Sequence, residues 1–172
     1  SQGSILPKNS NSGLPIMTIN VDTVNLQFLY VKPHMLPNFL DRYYLGNSTN
    51  SYQFNDLHKY AEQIYQGQYE IQDKTRNKRI TSNIDLHTIK NLGKPGMYIA
   101  LMTQPGVFTQ KYKTSYFFIS DIGLHARKYE NNIDVYAVSL NDGSVLKDVN
   151  LKLYTYSNLL SNSATTDSDG YA

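Results

Sequence analysis

Residues 91–106 read NLGKPGMYIALMTQPG. A Pro-Gly pair, Pro95-Gly96, stands before an apolar run, and a second Pro-Gly ends it. Pro presets φ and Gly supplies a conformation closed to other residues, so each pair marks a turn. The run Met97 to Thr103 is the length of a strand, and Tyr98 sits at its start with Leu92 upstream. In β-sandwiches a Tyr in this place sends its hydroxyl back to upstream backbone and locks the crossover between sheets. The pattern predicts an immunoglobulin- or fibronectin III-like sandwich, with Tyr98, Pro95, Gly96 and Leu92 as structural residues.

The neighbouring sequence agrees with an all-β reading. Upstream, Met17, Ile19 and Val21 alternate, and then Val24, Leu26, Phe28 and Tyr30 alternate on the other parity. Period two means half-buried strands, and the slip near Asp22-Thr23 is either a bulge or a turn between two strands. QYEIQ and KRITSNIDL flank the basic turn DKTRN as a predicted hairpin. Between them and the first strands the period changes. Leu36, Phe39, Leu40 and Tyr43 fall at helical spacing. A second helix is predicted from Asn55 as N-cap to Gly67, with Leu57, Tyr60, Ala61 and Ile64 on one face. Downstream, TSYFFISD is a further strand that runs straight into IGLHARKYENN with no flexible linker. NIDVYAVSL alternates, NDG (Asn141 to Gly143) is a hairpin signal, and VNLKLYTY alternates again.

Composition bounds the function. Hydrophobic residues make up 40% of the 172 and charged residues 17%, so the chain is polar but not of disordered type. The net charge of +2 provides no global field for nucleic acid or anionic lipid. With no Cys there are no disulfides, thiolate metal sites or Cys nucleophiles. No apolar run approaches the roughly 20 residues of a membrane-spanning helix. The chain lacks an initiator Met and a signal-peptide pattern, and reads as an internal piece of a longer protein.

No motif carries enzymatic chemistry. G-x-S-x-G and Gly-rich phosphate loops are absent, and His34, His58, His87 and His125 lack zinc spacing. ATTDSDGYA (164–172) begins like a calcium loop at Asp167, Asp169 and Gly170. Such a loop needs five or six ligating positions, whereas a turn needs only an Asp at its entry and a Gly at positive φ. Asp167 and Gly170 are therefore read as turn residues, as are Asn141 and Gly143. KTRNKR (74–79) reads as an exposed hairpin tip that resists edge pairing. NST at Asn47 is a glycosylation sequon on a loop.

The run from SDIGL (120–124) through SLNDG (139–143) to TDSDG (166–170) resembles the start of a macroglobulin-like domain of the bacterial alpha-2-macroglobulin family. GSILP (3–7), GLPIMTINVDTVNLQFLYVKP (13–33) and NLGKPGMYIALMTQPG are similar to the preceding domain of the same kind. The resemblance implies tandem macroglobulin-like β-sandwiches. Residues 1–15 would be a linker or edge segment. A first sandwich would span 16–120, with a helical insertion at about 33–67, and a second, truncated one 121–172.

It further implies a non-enzymatic scaffold within an endopeptidase inhibitor, a protease trap of the periplasm or cell envelope whose parent is lipid-anchored. Expected partners are neighbouring macroglobulin-like domains and, through the whole protein, target proteases. Nucleic acid and direct membrane contact are not expected, nor are a cofactor, metal or catalytic residue. The bait and the family's Cys-Gln thioester map to nothing in this stretch. The rival reading is a cell-surface adhesin or carbohydrate-binding tandem, in which Tyr43, Tyr44, Tyr52 and Tyr112 are exposed and stack on sugars.

Overall fold

A computed structural model describes residues 4–6, 13–43, 48–89, 91–107, 111–155 and 157–172. The strands are β1 (Ser4–Leu6), β2 (Leu14–Ile19), β3 (Thr23–Val31), β4 (Ser48–Asn50), β5 (Ala61–Glu70), β6 (Arg79–Ile84), β7 (Gly96–Thr103), β8 (Lys111–Ile119), β9 (Ile122–Lys128), β10 (Ile133–Ser139), β11 (Asn150–Tyr154) and β12 (Leu160–Thr165). Two short helices, α1 (Leu36–Arg42) and α2 (Ser51–Leu57), lie between β3 and β5. The chain forms two compact units, the first ending at Ile119 and the second running from Ser120 to Ala172.

In the first unit β1, β8, β7, β3 and β5 form one sheet in that order, and β4 adds to β8. β2 and β6 pair antiparallel as a separate layer. Leu14, Ile16, Ile80 and Ile84 from that layer meet Val24, Leu26, Phe28, Tyr98, Ala100, Phe117 and Ile119 of the large sheet. This is a β-sandwich core. The opposite face of the large sheet is buried too. Leu29, Val31, Met97, Ile99, Leu101 and Tyr116 pack beneath Phe39, Tyr43 and Leu57 of the helical segment. β7 is thus buried on both faces, which is why MYIAL is a continuous apolar run rather than an alternating one.

Three readings of the sequence need correction. The inward residues of β2 are Leu14, Ile16 and Thr18, while Met17 and Ile19 are 62% and 53% exposed. Buried residues therefore keep one parity from β2 into β3, and the break at Asn20-Val21-Asp22 is where the chain passes from one sheet to the other. The helical insertion does not reach residue 67. Asn50 caps α2 in a capping box with Gln53, and from Ala61 the chain is β5, paired with β3 along Thr23 to Val31. The spacing of Leu57, Tyr60, Ala61 and Ile64 imitated a helix because the register of β5 shifts where Leu29 follows Phe28 on β3, so its apolar residues do not alternate strictly. Finally, β5 and β6 are not a hairpin, since each pairs in a different sheet.

The two crossings between sheets stack on each other. Asn20 Oδ1 accepts from Asn77 N at 2.6 Å, and Asn20 Nδ2 donates to Asn77 Oδ1 at 3.0 Å. Both Asn residues have φ of 56°, a region in which Asn is enriched. Arg76 pairs with Asp22 at 3.0 Å and Lys74 with Glu70 at 2.7 Å. The basic segment 74–79 is thus partly tied to the body of the first unit.

The second unit is built from two two-stranded sheets, β9–β10 and β11–β12. Residues 170–172 add a short third segment beside β10, with Val135 and Ala172 exchanging backbone hydrogen bonds of 2.8 and 2.9 Å.

Candidate functional site

The first cluster forms around Tyr98. Its ring is fully buried, stacks on Phe117 at 5.4 Å and leans on Tyr30 at 5.2 Å. Its hydroxyl donates to Lys94 O at 2.6 Å, four residues back, and Tyr30 donates to Pro95 O at 3.1 Å. Two tyrosines therefore hold the same turn from the core side. Gly96 has φ of 146°, and a Cβ there would lie 2.7 Å from the Tyr30 ring, so side chain and backbone alike exclude other residues. Leu92 is half-buried against the same core. Burial pushes the Tyr98 phenol up to about 12, with the nearby Tyr30 hydroxyl adding to it.

The second cluster ties α1 to α2, and sequence reasoning missed it. Tyr43 Oη donates to Asp56 Oδ2 at 2.6 Å, Arg42 Nε lies 3.2 Å from the same oxygen, and Lys59 Nζ lies 2.5 Å from Oδ1. Hydrogen bonds from Lys59 and then Tyr43 hold the Asp56 carboxyl down to about 2. Burial, followed by the Asp56 contact, raises the Tyr43 phenol. The available signal was a capping box, Asn50-x-x-Gln53, five residues ahead of the N-cap read from Asn55.

In the second unit the turn residues act through backbone geometry. Asp167 Oδ1 accepts from the amides of Asp169 and Tyr171, each at 2.9 Å. Gly170 has φ of 71°, and a Cβ there would meet Ala137 O at 2.7 Å. The turn is thereby pressed against β10, where Ala137 N donates to Gly170 O at 2.8 Å. At the other turn Gly143 has φ of 75° with open space around it, and its amide donates to Ser139 O. Asn141 N donates to Ser139 Oγ at 3.2 Å. Asp142 accepts from Ser144, and hydrogen bonds from Ser139 and then Ser144 hold its carboxyl down to about 2. After this turn the chain makes a single bridge, Val138 to Val145, rather than a full hairpin strand.

The tyrosines grouped for sugar stacking do not act as one surface. Tyr43 is buried at 8% exposure and Tyr52 is 86% exposed. Tyr112 is half-buried and stacked on Phe54 at 4.6 Å. Tyr44 and Asn47 of the sequon lie outside the described residues, while Ser48 and Thr49 of the sequon belong to β4. What the structure does assemble is a groove of about 650 Å³ on the large sheet, lined by Asn25, Gln27, Gln66, Gly67, Gln68, Leu101, Thr103 and Tyr112. It occupies the part of that face beyond the helices.

The β-sandwich locked at Tyr98 puts the first unit in the immunoglobulin- or fibronectin III-like class, to which the helical cover on its second face is an addition. Residues 1–117 match the bacterial alpha-2 macroglobulin MG2 domain and residues 119–172 the bacterial alpha-2-macroglobulin MG3 domain. The chain belongs to the bacterial alpha-2-macroglobulin family. It is similar to the alpha-2-macroglobulin of Escherichia coli (strain K12), 33% identical over 171 residues, which are 99% of this chain and 10% of that protein. It therefore spans about a tenth of the length of that relative.

Among solved structures, it resembles a native E. coli alpha-2-macroglobulin fragment spanning domains NIE-MG1. The TM-score is 0.84 and the identity 32%, covering all of this chain and 82% of that one. Against trypsin-activated E. coli alpha-2-macroglobulin the TM-score is 0.85 at 32% identity, over 99% of this chain and 12% of the other. In the trypsin-activated protein the matching region is a small part of a much longer chain. The curated relatives from Escherichia coli and Xylella fastidiosa bear the name alpha-2-macroglobulin.

Proposed function

We propose that the two units are scaffold domains of a bacterial protease trap, holding other parts of a longer chain in place without touching a protease's active site themselves. The observation that carries this reading is the match of the whole chain to two consecutive macroglobulin-like domains. The site geometry supports it. The Tyr98 cluster, the Asp56 clip and the Asp167 turn each satisfy internal backbone or side-chain groups, which suits load-bearing rather than reactive roles. In the second unit Ile122, Leu124, Val145, Leu153 and Leu160 are all more than 40% exposed. Apolar side chains in that number suit burial against neighbouring domains of the same chain. The trap would work in the periplasm or cell envelope, on target proteases reached through the full-length protein.

The test is direct. The purified chain is incubated with trypsin at equimolar and excess ratios, and hydrolysis of a small peptide substrate and of a protein substrate is followed. Both rates are expected to stay at the trypsin-only value. Stoichiometric loss of either rate would overturn the scaffold reading, because the chain would then carry inhibitory contacts of its own.

A further inference from the structure

We infer that the groove on the large sheet binds a neutral oligosaccharide of pyranose units. The registers arrange its lining in two cross-strand rows. Gln68, Asn25 and Thr103 form one across β5, β3 and β7, and Gln66, Gln27 and Leu101 form the next. Tyr112 of β8 closes one side, held by its stack on Phe54 of α2 at 4.6 Å. Four strands therefore contribute, a span of about 14 Å at ordinary interstrand spacing.

The chemistry of the lining selects the ligand. Among the described residues none of the eight that line the groove is charged, so phosphate, acidic peptides and metal ions meet no opposing charge or ligand set there. An apolar ligand would strip water from four side-chain amides without replacing their hydrogen bonds. An extended peptide gains its affinity by pairing with a sheet edge, whereas this groove lies across a sheet face. A sugar hydroxyl both donates and accepts, and so does each Asn or Gln amide. The fixed Tyr112 ring supplies a wall for the apolar side of a sugar ring.

Two observations show that the amides are not fully used within the protein. Gln27 Oε1 is buried and finds no hydrogen-bond partner among the described residues. Such an acceptor is satisfied by an ordered water or, once the side chain turns toward the groove, by a ligand hydroxyl. Among the described residues the other three amides share two internal bonds. Gln68 Nε2 donates to Asn25 Oδ1 at 3.2 Å, and Gln66 Oε1 accepts from Gln63 at 3.1 Å. The Asn25 and Gln66 amide nitrogens remain as donors beside the groove.

The experiment uses the 172-residue chain labelled with ¹⁵N and titrated separately with maltotetraose, cellotetraose and the tetramer of N-acetylglucosamine. At least one sugar, with a Kd in the millimolar range or tighter, is expected to shift the side-chain amide signals of Asn25, Gln27, Gln66 and Gln68 before others. Gln66 and Gln68 are exposed, so the double variant Gln66→Ala, Gln68→Ala is expected to keep its melting temperature and to weaken binding about tenfold or more. Three results would overturn the proposal. One is no movement of these signals with any of the three sugars. Another is binding that the double variant leaves unchanged. The last is an equal response to a neutral Gly-Ser-Asn peptide, which would make the groove a peptide site. None of these bears on the trypsin test above.

Discussion

The two units handle the same alternating sequence pattern in different ways. In the first, the large sheet is covered on one face by β2 and β6 and on the other by α1 and α2, and nearly every large apolar side chain of β3, β7 and β8 is buried. In the second, Ala137 is the one fully buried hydrophobic residue among the described residues, and Leu153, Leu159 and Leu160 face outward. Alternation alone states that a strand has two faces. Whether the apolar face becomes a core depends on a second layer, and the first unit has two of them.

The largest expected difference lies in core truncation. Phe117→Ala removes a ring with no exposure, in contact with Phe28 and Tyr98, and is expected to destabilise the first unit by about 3–5 kcal/mol. Leu153→Ala, at a side chain 46% exposed, is expected to change the second unit by less than about 1 kcal/mol. Thermal and urea unfolding of both variants checks the contrast, and equal losses would break it.

Glycine substitutions sharpen the comparison within each unit. Gly96→Ala and Gly170→Ala each combine a positive φ with a contact of 2.7 Å, and each is expected to cost about 1–3 kcal/mol. Gly143→Ala has the positive φ but open space, and is expected at the low end, about 1 kcal/mol. A loss within the same range is expected for Tyr98→Phe, about 1–2 kcal/mol, from the lost bond to Lys94 O. That variant should also reduce the loss of stability in strong base. The Tyr98 phenol lies above its ordinary value, so its contribution is complete below about 10 and is lost as pH rises through about 12.

The smallest effects concern acid. The Asp56 carboxyl is depressed to about 2 by Lys59 and Tyr43, so its contribution is present above about 4 and is lost as pH falls through about 2. Asp142 has the same sign in the second unit. Melting temperatures between pH 5 and 2 are expected to fall less steeply in Asp56→Asn for the first unit and in Asp142→Asn for the second. A slope unchanged in either variant would remove that carboxylate from the account.

Local chemistry was the legible part of the sequence. Tyr98, Gly96 and Gly170 each sit where a turn or strand start demands that residue type. The layer assignments were less legible. Met17 and Ile19 looked inward because they are apolar, yet Thr18 takes the buried place. Ala61 and Ile64 fitted a helix because a shift of register in β5 spoils strict alternation. The Tyr43–Asp56 clip and the amide groove bring together residues from separate elements, and no local pattern announces such meetings.

A scaffold must be rigid where it carries load, and in this chain that place is the doubly covered sheet. Native-state hydrogen exchange on the intact chain tests this most directly. The amides of β3 and β7 are expected to exchange only through global opening of the first unit, and those of β9 to β12 at least about tenfold faster. Protection in β9 to β12 equal to that of β3 and β7 would contradict the account.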